Sequence, residues 1–211
     1  MGKVKLLFLS LLIFFFLNFS VSFVLSNSAD AKSDLAGAKE SEATPLVIIS
    51  ETPEIKKSVE YNLPYPGLLP DSPLYSLKTL RDKIVSFLIS SPLKKAEFNL
   101  LQADKRLNAG MYLFNAAKGD AKKINLAIVT ISKAENYFFE AIAEIRKANS
   151  QGIDTKSLTE KLVDSSRKHQ EVVKSLEEKS KGSIRENLAT ERKRAEGFEK
   201  DVIALLSDKA K

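Results

Sequence analysis

From residue 73 to the C-terminus, apolar side chains recur every three or four positions, the spacing of one face of an α-helix. Leu77, Leu80, Ile84 and Phe87 form the first stripe and predict a helix over 73–89. Ser72 followed by Pro73 marks its start, a hydroxyl cap and then a residue whose missing N–H costs nothing in the first turn. The same pair recurs at Ser91-Pro92 and opens a second helix over 92–118, with a seam through Leu93, Ala96, Leu100, Ala103 and Leu107. A third helix over 121–149 carries Ile128, Ile131, Phe138 and Ile142. The fourth, 155–180, carries Leu158, Leu162, His169, Val172 and Leu176. The fifth, 184–207, carries Leu188, Ala195, Phe198, Val202 and Leu205. Gly119, Gly152 and Gly182 punctuate these runs as corners, and connections that short place successive helices antiparallel. The expected fold is all-α, an antiparallel helical bundle of about five helices. Polar residues at Ser165 and Glu191 thin the last two seams. They suggest a protruding C-terminal hairpin whose Leu176, Phe198 and Val202 are a candidate interface for a homodimer or another partner.

The N-terminal third follows different rules. Lys3 and Lys5 precede an uncharged apolar run over residues 6–25, and Ala29-Asp30-Ala31 has the small-x-small form of a signal-peptidase site. Cleavage is expected after Ala31, with Ala29 as the next choice. The run is also long enough to span a bilayer, so an uncleaved anchor is the competing reading. In both cases the remainder is expected outside the cytoplasmic membrane, extracellular or periplasmic. Residues 32–60 are low in aromatics and rich in Ala, Ser, Glu and Lys, a flexible linker by composition; residues 45–49 are a short β-branched run within it.

Residues 61–75 read differently again. Pro64, Pro66 and Pro70 forbid a helix and favour extended backbone, while Leu63, Tyr65, Leu68 and Leu69 are too apolar for a free tether. The segment is expected to strap across the helices. The chain thus divides into 1–31 (signal peptide or anchor), 32–60 (linker), 61–153 (strap and bundle core) and 154–211 (C-terminal hairpin).

Composition narrows the chemistry. The 211 residues include no Cys and one His, which excludes disulfides, thiolate metal sites and His-rich metal centres. All 7 Pro lie between Pro45 and Pro92, and six of the 12 Phe lie in the first 31 residues. The net charge of +6 hides a partition: residues 93–153 carry 10 basic and 6 acidic side chains, residues 154–211 carry 14 and 12. No basic block interleaves with aromatics, so nucleic acid is not an expected partner, whereas an anionic envelope surface fits a mildly basic bundle. His169 shares its helix with Asp164 and Ser165, but one helix cannot converge a Ser-His-Asp set, and the histidine is expected to pack in or at the edge of the core. Glu140 and Glu144, one turn apart, are expected to form a solvated face with Lys147 rather than a metal site. Ser91-x-x-Lys94 and Ser165-x-x-Lys168 match a Ser/Lys spacing that is common by chance. No catalytic residue, cofactor or metal is expected.

The segments LPYPGLLPDSPLYSLKTLRDKI at 63–84 and SPLKKAEFNLLQADKRLNAG at 91–110 resemble a domain of unknown function found in exported bacterial proteins and in the extracellular parts of some membrane proteins. The residues that carry the likeness are Leu69, Pro70, Asp71, Ser72, Pro73, Leu74, Tyr75, Leu77 and Lys78, then Ala96, Glu97, Leu100, Arg106 and Leu107. It covers about residues 60–150 and leaves the final two helices outside. As a fold signature, it implies Tyr75 and Leu77 seated in the core and Glu97 reaching Arg106 or Lys94.

Together these readings predict a non-enzymatic exported bundle acting through protein-protein or cell-surface contact. The alternative is an envelope stress chaperone or an extracytoplasmic sensor module. Residues 6–25 are its candidate membrane tether.

Overall fold

Proline and glycine set the helix boundaries. In the computed structural model, which describes residues 60–208, α1 spans Tyr75–Leu88, α2 Pro92–Ala116, α3 Ala121–Ser150, α4 Lys156–Glu178 and α5 Gly182–Asp208. No strand occurs among the described residues. The leader over 6–25, the sites at Ala29 and Ala31, and the run at 45–49 lie outside them.

Pro92 is the first residue of α2, with Ser91 extended before it, although the Ser91 hydroxyl makes no capping bond. Ser72-Pro73 acts two residues early. The Ser72 N–H bonds the Leu69 carbonyl and the Tyr75 N–H bonds the Ser72 carbonyl, both at 3.0 Å, so residues 69–75 turn before α1 begins. Lys118 and Gly119 both have positive φ at the α2–α3 corner. Asp120 then caps α3 by accepting from the Lys122 N–H at 2.8 Å.

Four helices close a ring: α2 packs on α3, α3 on α5, α5 on α4, and α4 on α2. The consecutive helices α3 and α4 are therefore diagonal across the bundle. The hairpin at 154–211 does not protrude. Leu162 and Val163 of α4 and Phe198 and Val202 of α5 share one apolar cluster with Leu100, Ala103, Phe138 and Ile142. A second cluster joins Leu107, Ile131, Ala134, Val173, Leu176 and Leu188. Leu176, Phe198 and Val202 are buried, so the seam read as an interface is consumed inside the bundle.

Along α2, α3 and α4 the two clusters are separated by the same kind of interruption. Asp104 falls between Ala103 and Leu107, Glu135 between Ala134 and Phe138, and Ser165 and His169 between Val163 and Val172. All four are buried. A polar layer thus crosses the core.

The α2–α3 contact is tightest at Gly110, where an added Cβ would lie 2.5 Å from Ile131 Cγ1 and 3.1 Å from the Ala127 carbonyl oxygen. Gly110→Ala gains about 1 kcal/mol of helix propensity, but the clash with a buried branched side chain and with backbone costs about 1–3 kcal/mol. The expected net result is a lower melting temperature, and Ile131→Ala, costly at this buried site, should cost less on the Gly110→Ala background than in the parent chain. A rise in melting temperature for Gly110→Ala alone would contradict the close approach.

The first helix is turned the other way from the sequence expectation. Leu77, Leu80, Ile84 and Phe87 face solvent, and the buried residue of α1 is Asp82. Asp82 lies about 200° around the helix from Leu80 and from Ile84. Its carboxylate receives Arg81 at 2.7 Å and faces Arg106 of α2 at 3.8 Å. The buried carboxylate needs these cations, and meeting Arg106 fixes the helix's rotation, which points the apolar stripe outward.

The proline-rich segment is hydrogen-bonded to α1 and α2. Tyr61 bonds Asp104, the Asn108 side-chain amide donates to the Pro64 carbonyl at 2.9 Å, and Lys78 Nζ donates to the Pro66 and Leu68 carbonyls at 2.6 and 3.1 Å. Leu63 packs against the second apolar cluster.

Candidate functional site

The chemistry-bearing residues meet in the polar layer. Asp104 is its hub. Its Oδ1 accepts from Ser165 Oγ at 2.6 Å and faces His169 Nε2 at 3.3 Å, while its Oδ2 accepts from the Tyr61 hydroxyl at 2.6 Å. On the other side of the ring, His169 Nδ1 lies 2.8 Å from Glu135 Oε1. The His169 side chain is 0% exposed. Phe138 meets the imidazole edge-on at 5.1 Å and stacks on Phe198 at 5.4 Å, closing the layer with aromatic surface.

Burial alone would lower the His169 pKa. The Glu135 charge and the bonds to Asp104 and Glu135 outweigh it, and the pKa is pushed up to about 9. At neutral pH the ring is an imidazolium donating from both nitrogens to two carboxylates. Burial, then the neighbouring Asp104 carboxylate, pushes the Tyr61 phenol upward, so it remains a donor. Glu135 Oε2 is buried without a hydrogen-bond partner.

Two clefts flank the strap. One, of about 590 Å³, is lined by Tyr61, Pro64, Leu93, Glu97, Asp104 and Lys161 among others. The other, of about 730 Å³, includes Tyr61, Asn108, Met111 and Lys168. His169, Ser165 and Glu135 line neither, and Asp104 reaches only the first, where its Oδ2 accepts from the Tyr61 hydroxyl.

This connectivity does not suit nucleophilic catalysis. A Ser-His-Asp set requires the serine to donate to the imidazole. Here Ser165 donates to Asp104, and both imidazole nitrogens already face carboxylates. Among the described residues, no group of three or more His, Asp or Glu is arranged to hold a metal ion. The layer ties α2, α3 and α4 together through buried polar contacts.

Some of the motif residues pack or pair within the fold. Asp71 pairs with Lys123 at 3.6 Å, fastening the Pro70–Leu74 turn to α3. Ala96 and Leu107 are core residues. Tyr75 is half-buried, but Leu77 is 62% exposed rather than seated in the core. Arg106 does not meet Glu97. It bonds Gln102, faces Asp82, and lies 4.1 Å above the Tyr137 ring, while Glu97 is exposed at the cleft. Glu144 pairs with Lys95 of α2 at 3.5 Å, so it bridges helices rather than joining Glu140 in a solvated face.

Sequence reasoning placed His169 in the core or at its edge but missed Glu135 and Asp104. A signal was present. Ile128, Ile131, Glu135, Phe138 and Ile142 continue one stripe, as do Leu100, Asp104, Leu107 and Met111, so each carboxylate holds a core register position.

These features define a class: an all-α bundle with a buried polar layer, a proline strap and a splayed first helix. The chain belongs to the family described as domain of unknown function DUF5667, whose pattern matches residues 67–183. The match begins after Tyr61 and runs through α4 into the first turn of α5, so the family region extends well past residue 150, where the motif residues had placed its end. No curated protein and no solved structure matches the chain.

Proposed function

We propose that the chain is an exported, non-enzymatic helical domain that works by contact with a protein or an envelope surface. The observation that carries this reading is the sealing of His169, the one imidazole, between two carboxylates and away from both clefts. A domain whose most reactive constellation is fixed in its core presents its surface as its means of action. The exposed apolar stripe of α1 supports the same reading, since contiguous apolar surface marks contact sites. The basic-then-apolar leader and the motif at 69–78 and 96–107, which resembles exported bacterial proteins, support export.

Protease accessibility tests the export half. A full-length chain with a C-terminal tag, produced in bacterial cells, is expected to be degraded by protease added outside spheroplasts while a cytoplasmic marker survives. Protection of the tag until the cells are lysed would overturn it.

A further inference from the structure

α1 presents to solvent what an amphipathic helix ordinarily hides. Phe87 is 87% exposed, Leu88 65% and Leu80 56%, with Leu77 and Ile84 on the same side. Opposite them Asp82 is buried against α2, so rotating the helix to cover the stripe would strand that carboxylate away from Arg106. The stripe therefore stays outward in the folded domain. Water is a poor neighbour for an apolar face this continuous.

Charge selects the occupant. Arg81 and Lys83, both exposed, flank the stripe, and Lys94 is exposed at the start of α2. The helix carries Lys78, Arg81 and Lys83 against the single acid Asp82, which is buried and already paired. Its exposed face is thus apolar and basic with no acidic residue. Two copies meeting stripe to stripe would bring like charges together. A bilayer with anionic headgroups complements both components: acyl chains for the stripe, phosphates for the flanks. Chain length agrees. Thirty-four residues separate Leu25, the end of the apolar leader, from Glu60, a reach of at most about 120 Å. A retained leader tethers Glu60, fifteen residues before α1, within that distance of the membrane.

We propose that α1 is an interfacial helix that lays Leu77, Leu80, Ile84, Phe87 and Leu88 into an anionic bilayer surface, with Arg81 and Lys83 at the headgroups. This rests on the contact reading above and names its surface.

The chain has no Cys, so one introduced thiol carries a unique label. The full chain with Leu88→Cys bearing an environment-sensitive fluorophore is reconstituted in phosphatidylglycerol or phosphatidylcholine vesicles containing nitroxide-labelled acyl chains. A label at Lys200→Cys, on α5 diagonal to α2, is the control. The expected result is quenching at position 88 that is several-fold stronger in phosphatidylglycerol, weakened by salt, and absent at position 200. Phe87→Ser is expected to weaken it about tenfold, the effect of withdrawing one large aromatic from an apolar phase, and Lys83→Glu with Lys94→Glu, two exposed positions that leave the Arg81–Asp82 pair in place, to abolish the lipid preference. Phe87 is exposed, so its replacement leaves the fold intact. An 88 label that stays in water on both vesicles overturns the inference. So does a label shielded without lipid, whether concentration-dependently by a second copy or at all dilutions by another part of this chain. A chain that passes the protease test but shows no quenching at 88 retains the contact reading and loses the bilayer.

Discussion

Asp104→Ala is expected to destabilise the domain by about 3–5 kcal/mol, the cost of breaking a buried charge pair from one side. Three donors lose their acceptor together: the Tyr61 hydroxyl, Ser165 Oγ and His169 Nε2. His169 is left buried with only Glu135 to balance it. Tyr61 loses its anchor, so the strap loses one of the three hydrogen-bonded fastenings set by Asp104, Asn108 and Lys78. Asp104→Asn separates charge from shape. It keeps an acceptor oxygen of similar size and removes the negative charge, so its cost should be smaller, about 1–3 kcal/mol. Urea denaturation followed by circular dichroism reads both values. Set against a usual domain stability of about 5–15 kcal/mol, the alanine variant should unfold at a much lower urea concentration. An Asp104→Ala chain within about 1 kcal/mol of the parent, on the same scale, would show that the layer does not hold the bundle together.

Register explains what the sequence could and could not reveal. Pro92, Gly119-Asp120 and Gly152 act on their immediate neighbours, so the ends of α2 and α3 and the start of α4 follow from local chemistry. The burial of Leu158, Leu162, His169 and Leu176 follows from periodicity alone. The partners of His169 do not, because Glu135 and Asp104 are 34 and 65 residues away. Periodicity says that Glu135 points inward with Ile131 and Phe138, but not what it meets there. The same limit produced the error over α4 and α5. Ser165 looked like a weakness in a seam because Asp104, which accepts its hydrogen, belongs to another helix. In α1 the pattern identified the apolar stripe correctly. Its direction was set by the Asp82–Arg106 pair, which no single-helix argument contains. The polar residues that look like defects in one helix are thus the ones that specify how helices are arranged, and that information exists only between them.

His169 is also the only side chain whose ordinary pKa places its titration between pH 5 and 8, so the layer should dominate the pH dependence of stability there. The sign follows from the direction of its shift. The folded pKa, about 9, lies above the ordinary 6.5. Folded protein therefore holds its proton over a range in which the unfolded chain has released it. The stabilisation is fully present below about pH 6.5 and is lost as pH rises through about 9. The shift corresponds to a loss on the order of 3 kcal/mol across that window, or about 6–12 °C in melting temperature for a domain of this size. The single histidine makes the measurement direct, because its Cε1–H resonance needs no assignment. Its chemical shift should titrate with a midpoint near 9 in the folded chain. Glu135→Gln should lower that midpoint, since the Glu135 charge is the largest influence raising it, and should flatten the fall in melting temperature between pH 6.5 and 9. A midpoint at or below the ordinary 6.5, with melting temperature constant across the window, would mean that the ring is buried neutral. Asp104 and Glu135 would then repel each other across an uncharged imidazole, and the layer would have to be held together by the apolar clusters on either side of it.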